Sequence, residues 1–287
     1  MKYLKQIAQD IRDVISEYQK VNQLSFIEDT HTYFIKGNDG KITSNMPSVS
    51  TVLHSFYTPF NAAGTRAFKN CLGDPIKEKS LLKEWSDNAD YATNKGSRVH
   101  FILEQELVDQ YGSYKEVRKP IFECDKKQLE DGDQMVIAGR NFIDLMHERG
   151  AVLLDTEIVL GSVELGYFGQ PDKVWLMLDK NGVVGIVITD WKTNKKKNMS
   201  NKKMPWTVPM LSPFGYMNNN SLSHYKLQLP LYGKLLLKML EGSKFENIQI
   251  LGYIIVHLTD DGEFKEFRVD KQTSDIIKDM DVKKYLK

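Results

Sequence analysis

The chain has 287 residues, 41% of them hydrophobic and 27% charged, with a formal net charge of +1. That length and apolar content can build a sizeable core, as one large domain or a core with an extension, and a charge near zero singles out no partner. Cys71 and Cys124 are too few for a disulfide scaffold or a four-cysteine metal or iron–sulfur site. With no apolar run of about 18 residues and no leader-like segment, a soluble protein of a reducing compartment, the cytoplasm, is expected.

In chain order, Leu4, Ile7, Ile11, Val14, Ile15 and Tyr18 recur at helical spacing, which predicts an amphipathic helix over 1–20. Residues 24–28 and 32–36 read as a strand pair, followed by a Gly-Asn-Asp-Gly turn at 37–40. Pro47-Ser48 opens a short helix, with Ser48 as N-cap for Val49 to Phe56. Two further helices are expected over 60–70 and 76–92, parted by Gly73-Asp74-Pro75. From residue 95 the pattern changes: helices over 96–111 and 133–149, strands over 151–160, 166–178 and 183–191, then a helix over 222–241. A strand over 248–258, an edge strand over 263–269 and a terminal helix complete the chain, while Glu123, Cys124, Asp125 and Glu130 read as solvated loop. This order predicts an α/β sandwich with a mixed sheet over 95–287, and a mainly helical extension with a hairpin over 1–94.

The chemistry concentrates at two strand ends. Residues 183–190 are β-branched and nearly uncharged, a buried strand that ends at Asp190-Trp191-Lys192. Strand side chains alternate, so Asp190 and Lys192 face one way and Trp191 the other. Asp172, after Pro171, lies on the preceding strand, and the Asp179–Gly182 turn makes the two a hairpin that brings the carboxylates together. Two such groups repel unless a cation bridges them, and hard oxygen donors select Mg²⁺ or Mn²⁺. The plain alternative is a pair of strand-end acids facing water.

Four other sites stand out. His100 and Glu104 share one helix face, where the imidazole could reach the same cation. Gln228 and Tyr232, also one turn apart, sit beside the apolar stripe Leu227, Leu231, Leu235 and Met239. Glu157, in an otherwise apolar strand, must be near the cation or paired with a base. Between Asp190 and Glu241 no acid occurs, and Lys195, Lys196, Lys197, Lys202 and Lys203 mix with Trp206, Phe214 and Tyr216. Lysines attract phosphates and aromatic faces stack on unpaired bases, so this segment is a candidate single-strand contact surface. A merely solvated loop is the alternative.

Taken together, the Gly96–Glu104 helix, Gly169-Gln170-Pro171-Asp172, Asp190-Trp191-Lys192-Thr193 and Gln228 with Tyr232 resemble the PD-(D/E)xK nuclease superfamily, and within it the RecB-like exonucleases. The motifs follow the family's order over roughly half the chain, and Pro47 to Leu53 is similar to a segment of phage and mitochondrial genome-maintenance exonucleases. The resemblance implies a restriction-endonuclease-like core in which His100, Asp172, Asp190 and the Trp191 carbonyl bind two Mg²⁺ or Mn²⁺ ions. Lys192 would position or deprotonate the attacking water and offset developing charge, and Gln228 and Tyr232 would steady lysine and substrate. Glu104 and Glu157 would be outer ligands or serve a second ion. No iron–sulfur cluster is expected, and a helicase, recombinase or single-strand-binding partner would be a separate protein. The implied activity is a DNA exonuclease on single-stranded or frayed ends, giving 5′-phosphate products, with the N-terminal third over the site. Its rivals are an endonuclease or duplex-end resection nuclease, and a non-catalytic nucleic-acid-binding module.

Overall fold

Side-chain alternation along the central strands decides the layers. In the computed structural model, which describes residues 2–27, 30, 32–59, 70–111, 122–200 and 208–286 (109–111 and 197 by backbone alone), a five-stranded sheet carries the core. Its strands are β4 (Val152–Thr156), β7 (Lys173–Leu178), β8 (Val184–Lys192), β9 (Gln249–Leu258) and β10 (Phe264–Arg268), in the order β10-β9-β8-β7-β4. Only β8 and β9 run parallel, so the sheet is mixed. The protein is therefore α/β, with a central mixed sheet flanked by helices.

Val152, Leu154, Val174, Leu176, Ile186, Ile188 and Ile255 bury against α1 (Lys2–Val21) and α5 (Ser221–Leu240). Leu153, Trp175, Val187, Trp191, Ile254, Val256 and Leu258 bury on the other face, against α3 (Pro75–Tyr111) and α4 (Lys126–Glu148). With both faces covered, a strand such as β8 reads as an unbroken apolar run. Its length and β-branching mark it as a strand where periodicity cannot.

The N-terminal elements join the same core. Leu4, Ala8, Ile11 and Ile15 of α1 pack with the sheet, and Arg12 and Gln19 donate to the carbonyls of Leu154 (2.9 Å) and Val159 (2.8 Å). β1 (Ser25–Ile27), β2 (Thr32–Lys36) and β3 (Ile42–Thr43) form a small antiparallel sheet. Ser48 caps α2 (Val49–Leu53) by accepting from the Thr51 N–H, and a 3₁₀ turn continues it to Phe56. The Phe168 N–H, in β6 (Tyr167–Gly169), donates to the Pro47 carbonyl at 2.9 Å, and β6 pairs with β5 (Leu160–Ser162).

Several expected boundaries move. The helices expected over 76–92 and 96–111 are one continuous helix, α3, which runs through positions 94 and 95. Gly96 interrupts nothing because it is a contact point: a Cβ there would lie 2.8 Å from Thr193 Oγ1, so glycine lets α3 approach the end of β8. The helix expected to start at 133 begins at Lys126, where Asp125 and Gln128 form a reciprocal capping box, so Asp125 is a cap and Glu130 is helical. A dense charge run there hides the helical stripe. The strand expected over 151–160 breaks at Glu157, whose φ of 46° turns the chain between β4 and β5. That expected over 166–178 breaks between β6 and β7 at residues 170–172. The helix expected over 60–70 lies outside the described residues except for residue 70. After β10 comes the terminal helix α6 (Lys271–Asp279), capped by Asp270. No helix among the described residues is long and apolar enough to cross a membrane.

Candidate metal centre

Strand register brings the acids to one end of the sheet. Lys173 pairs with Thr189 across β7 and β8, so the next step outward sets Asp172 against Asp190. Asp172 is 7% exposed, and its Oδ2 accepts the Trp191 N–H at 2.6 Å. Glu157 arrives from the end of β4: its N–H donates to the Asp172 carbonyl at 3.0 Å, and the Glu157 carbonyl accepts from Gln170 Nε2 at 3.2 Å. A left-handed backbone costs a non-glycine residue about 1–2 kcal/mol, and strain held this way gathers at functional sites. The turn aims the Glu157 side chain at Asp172.

The third group comes from the opposite layer. α3 carries His100 over the strand ends, one turn beyond the Gly96 contact, and its Nδ1 lies 3.5 Å from Asp172 Oδ2. Ligand atoms of His100, Glu157 and Asp172 all lie within 4.8 Å of one another. Burial first, then the charges of Lys173 and Lys192, push the His100 imidazole down to about 3. A neutral ring nitrogen beside two carboxylates is a donor set that could hold a divalent ion.

Beside it, Asp190 and Lys192 form a buried ion pair through Asp190 Oδ2 and Lys192 Nζ. Burial, then the neighbouring Asp172, raises the Asp190 carboxyl to about 6 against the pull of Lys192. Burial alone would lower Lys192, but Asp190 and Asp172 outweigh it and keep the ammonium charged. The Lys192 ammonium also lies 4.5 Å from the Tyr225 ring centroid, and the Tyr225 hydroxyl donates to Asn194 Oδ1 at 3.0 Å. From α5, Gln228 Nε2 donates to the buried Tyr232 hydroxyl at 2.7 Å. Burial first, then Asp190, holds that phenol well above its ordinary pKa, so it stays neutral.

The sequence candidates thus separate. His100 and Asp172 share the cluster with Glu157, which the sequence left undecided. Asp190 lies next to it but is engaged by Lys192. The Trp191 main-chain N–H bonds Asp172, while its ring points into the opposite layer. Glu104 lies a turn further along α3 and is not one of the three clustered groups. Of the basic and aromatic segment, Lys195 is exposed and Lys196 pairs with Asp261 at 2.6 Å. Tyr216 shares a hydrogen bond with Thr273 at 2.9 Å. Phe214, expected as a stacking surface, is instead fully buried edge-on to Phe56. The Lys197 side chain and all of Lys202, Lys203 and Trp206 lie outside the described residues. Sequence reasoning missed Lys173, Tyr225 and Asn194. A lysine in an apolar strand was the visible signal for the first; nothing local marked the other two.

No family model and no curated protein matches the chain. Among solved structures it is similar to one titled "Crystal structure of SSO0001", at 16% identity and a TM-score of 0.27, over 72% of this chain and 86% of that one. A superposition that loose bears on neither fold family nor chemistry.

Proposed function

We propose that the protein is a divalent-metal-dependent deoxyribonuclease, an exonuclease of single-stranded or frayed ends, built on a restriction-endonuclease-like core. The observation that carries this reading is the convergence of His100, Glu157 and Asp172 within 4.8 Å, beside the Asp190–Lys192 pair. The donor set fits Mg²⁺ or Mn²⁺: two carboxylates suit both ions, and the imidazole nitrogen favours Mn²⁺. When bound, such an ion supplies Lewis-acid polarisation of a phosphodiester and lowers the pKa of water.

The chain's own groups supply the rest. Asp190, raised toward neutrality by burial and by Asp172, is suited to accept the proton of an attacking water near pH 7. Lys192 stays charged and is suited to offset negative charge gathering on the phosphate oxygens, rather than to act as the base. Gln228, through the neutral Tyr232 hydroxyl, orients the polar wall beside Asp190. In-line displacement would leave a 5′-phosphate and a 3′-hydroxyl. The Pro47–Leu53 segment, bonded to β6 beside the site, supports a role for the N-terminal third in restricting access to one strand.

The test is digestion of end-labelled single- and double-stranded DNA and of a closed single-stranded circle in Mg²⁺, Mn²⁺ and chelator. Metal-dependent release from free ends, with the circle intact, is expected. Rapid cutting of the circle would replace the exonuclease by an endonuclease. Metal-dependent binding without hydrolysis of any substrate would leave only a binding module.

A further inference from the structure

β7 opens with a lysine where the strand is buried on both faces. Lys173 is fully buried, and its Nζ makes no hydrogen bond among the described residues. It sits over the face of Trp191, whose ring centroid lies 5.4 Å from the ammonium. A desolvated ammonium held only by a ring is strongly disfavoured, and a chain that wanted only packing here would use methionine or leucine. The position needs another explanation.

Its surroundings supply one. Trp191 is the residue whose main-chain N–H holds Asp172, and Asp172 in turn lies 3.5 Å from the His100 ring. Strand alternation sends Lys173 to the α3 side, where the Trp191 ring lies, while the adjacent Asp172 faces the other way. By formal charge, the three acidic side chains Glu157, Asp172 and Asp190 and the two lysines Lys192 and Lys173 sum to one net negative charge. One divalent ion and one phosphodiester together bring that to neutrality. A second ion would leave two uncompensated positive charges in a buried, low-dielectric site.

We propose that Lys173 is a positioning residue that supplies fixed positive charge beside the metal centre, in place of a second divalent ion, so that the centre holds one ion. This rests on the metal-centre reading above. The ammonium partly neutralises the acids and holds them together, and it sets the affinity for the ion below what three carboxylates alone would give.

The test is calorimetric titration of the full chain with Mn²⁺, for wild type, Lys173→Met and Lys173→Arg, with circular dichroism to check folding. Wild type and Lys173→Arg are expected to bind one Mn²⁺ per chain with similar affinity. Lys173→Met, matched in size but uncharged, is expected to bind its Mn²⁺ roughly tenfold tighter or more, because the ion meets one fewer positive charge. Structural damage could only weaken binding, so the direction of the change separates the two. Lys173→Gln is read in the same way if the methionine variant does not fold. Two Mn²⁺ per wild-type chain, or a folded neutral variant with unchanged or weaker affinity, would overturn the role of Lys173 alone. A wild type that binds no Mn²⁺ would overturn the metal centre itself.

Discussion

Gly169→Ala tests whether the Tyr232 ring is held where the site needs it. An alanine Cβ at 169 would lie 2.6 and 2.7 Å from Tyr232 Cδ1 and Cε1, and 3.0 Å from Val49 Cγ2. Carbon atoms in contact normally sit about 3.5–4.0 Å apart, so one partner must retreat by roughly 1 Å. The tyrosine cannot swing aside cheaply: it is 5% exposed, and its hydroxyl is tied to Gln228. Overpacking of this kind costs about 1–3 kcal/mol, and at about 2–4 °C per kcal/mol for a chain of this size Tm should fall by about 2–12 °C. A displacement of about 1 Å beside the reacting groups should also lower kcat on DNA by roughly a hundredfold. Gly252→Ala is the control, since a Cβ there meets nothing within 4 Å and should change stability by less than about 0.5 kcal/mol. Calorimetric melting and turnover on end-labelled DNA give both readouts. If Gly169→Ala melts and digests like Gly252→Ala, the packing of Tyr232 against β6 is not as described.

Asp172→Asn keeps an oxygen for the Trp191 N–H but loses the ligand charge. It should fold, lose at least about a hundredfold in hydrolysis, and gain no stability from Mn²⁺. Lys192→Met should likewise cost at least about a hundredfold, and because it strands Asp190 it should also destabilise by about 3–5 kcal/mol; turnover within threefold of wild type would remove Lys192 from the mechanism. Mn²⁺ at a hundred times its Kd should stabilise the wild type by about 2.7 kcal/mol in a thermal melt, Mg²⁺ should need higher concentrations, and chelator should abolish the gain. His224 gives a pH test away from the metal centre: burial, then His54, lowers its imidazole to about 4, while Tyr57 holds the ring by stacking and Asn219 Oδ1 by a 2.8 Å hydrogen bond with Nε2. A depressed folded value means the unfolded chain binds the extra proton. Its contribution is therefore complete above about pH 6.5 and is lost as pH falls toward 4. His224→Gln should lose that slope, about 1–3 kcal/mol across the window, in urea titrations at stepped pH.

How far the chain could be read depends on the range of the interaction. β8, α5 and the Ser48 cap follow from neighbours within a few positions, and they fall within a residue or two of their expected limits. The α3 and α4 boundaries do not. Gly96 looks like a breaker until Thr193 is seen against it, and the charges over 126–131 look like loop until Asp125 and Gln128 cap one another. The lysines that follow Asp190 show the same limit. Lys234 donates to carbonyls at the end of α6, Lys238 pairs with Glu164 and Glu241, and Lys226 lies 3.8 Å from Asp270. Those three lysines, all on α5, help to hold the fold.

The sequence by itself determined which strands carry Asp172, Asp190 and Lys192 and which way they face. A strand period of two faces Asp190 and Lys192 together, and a hairpin sets Asp172 opposite Asp190. Only the tertiary structure decided that Glu157, rather than Asp190, joins His100 and Asp172, and that Lys173 lies buried beside them. Those relations arise where α3, β4 and β8 meet from distant parts of the chain. Periodicity records which face a side chain takes, whereas the separation between faces is set by how whole layers pack.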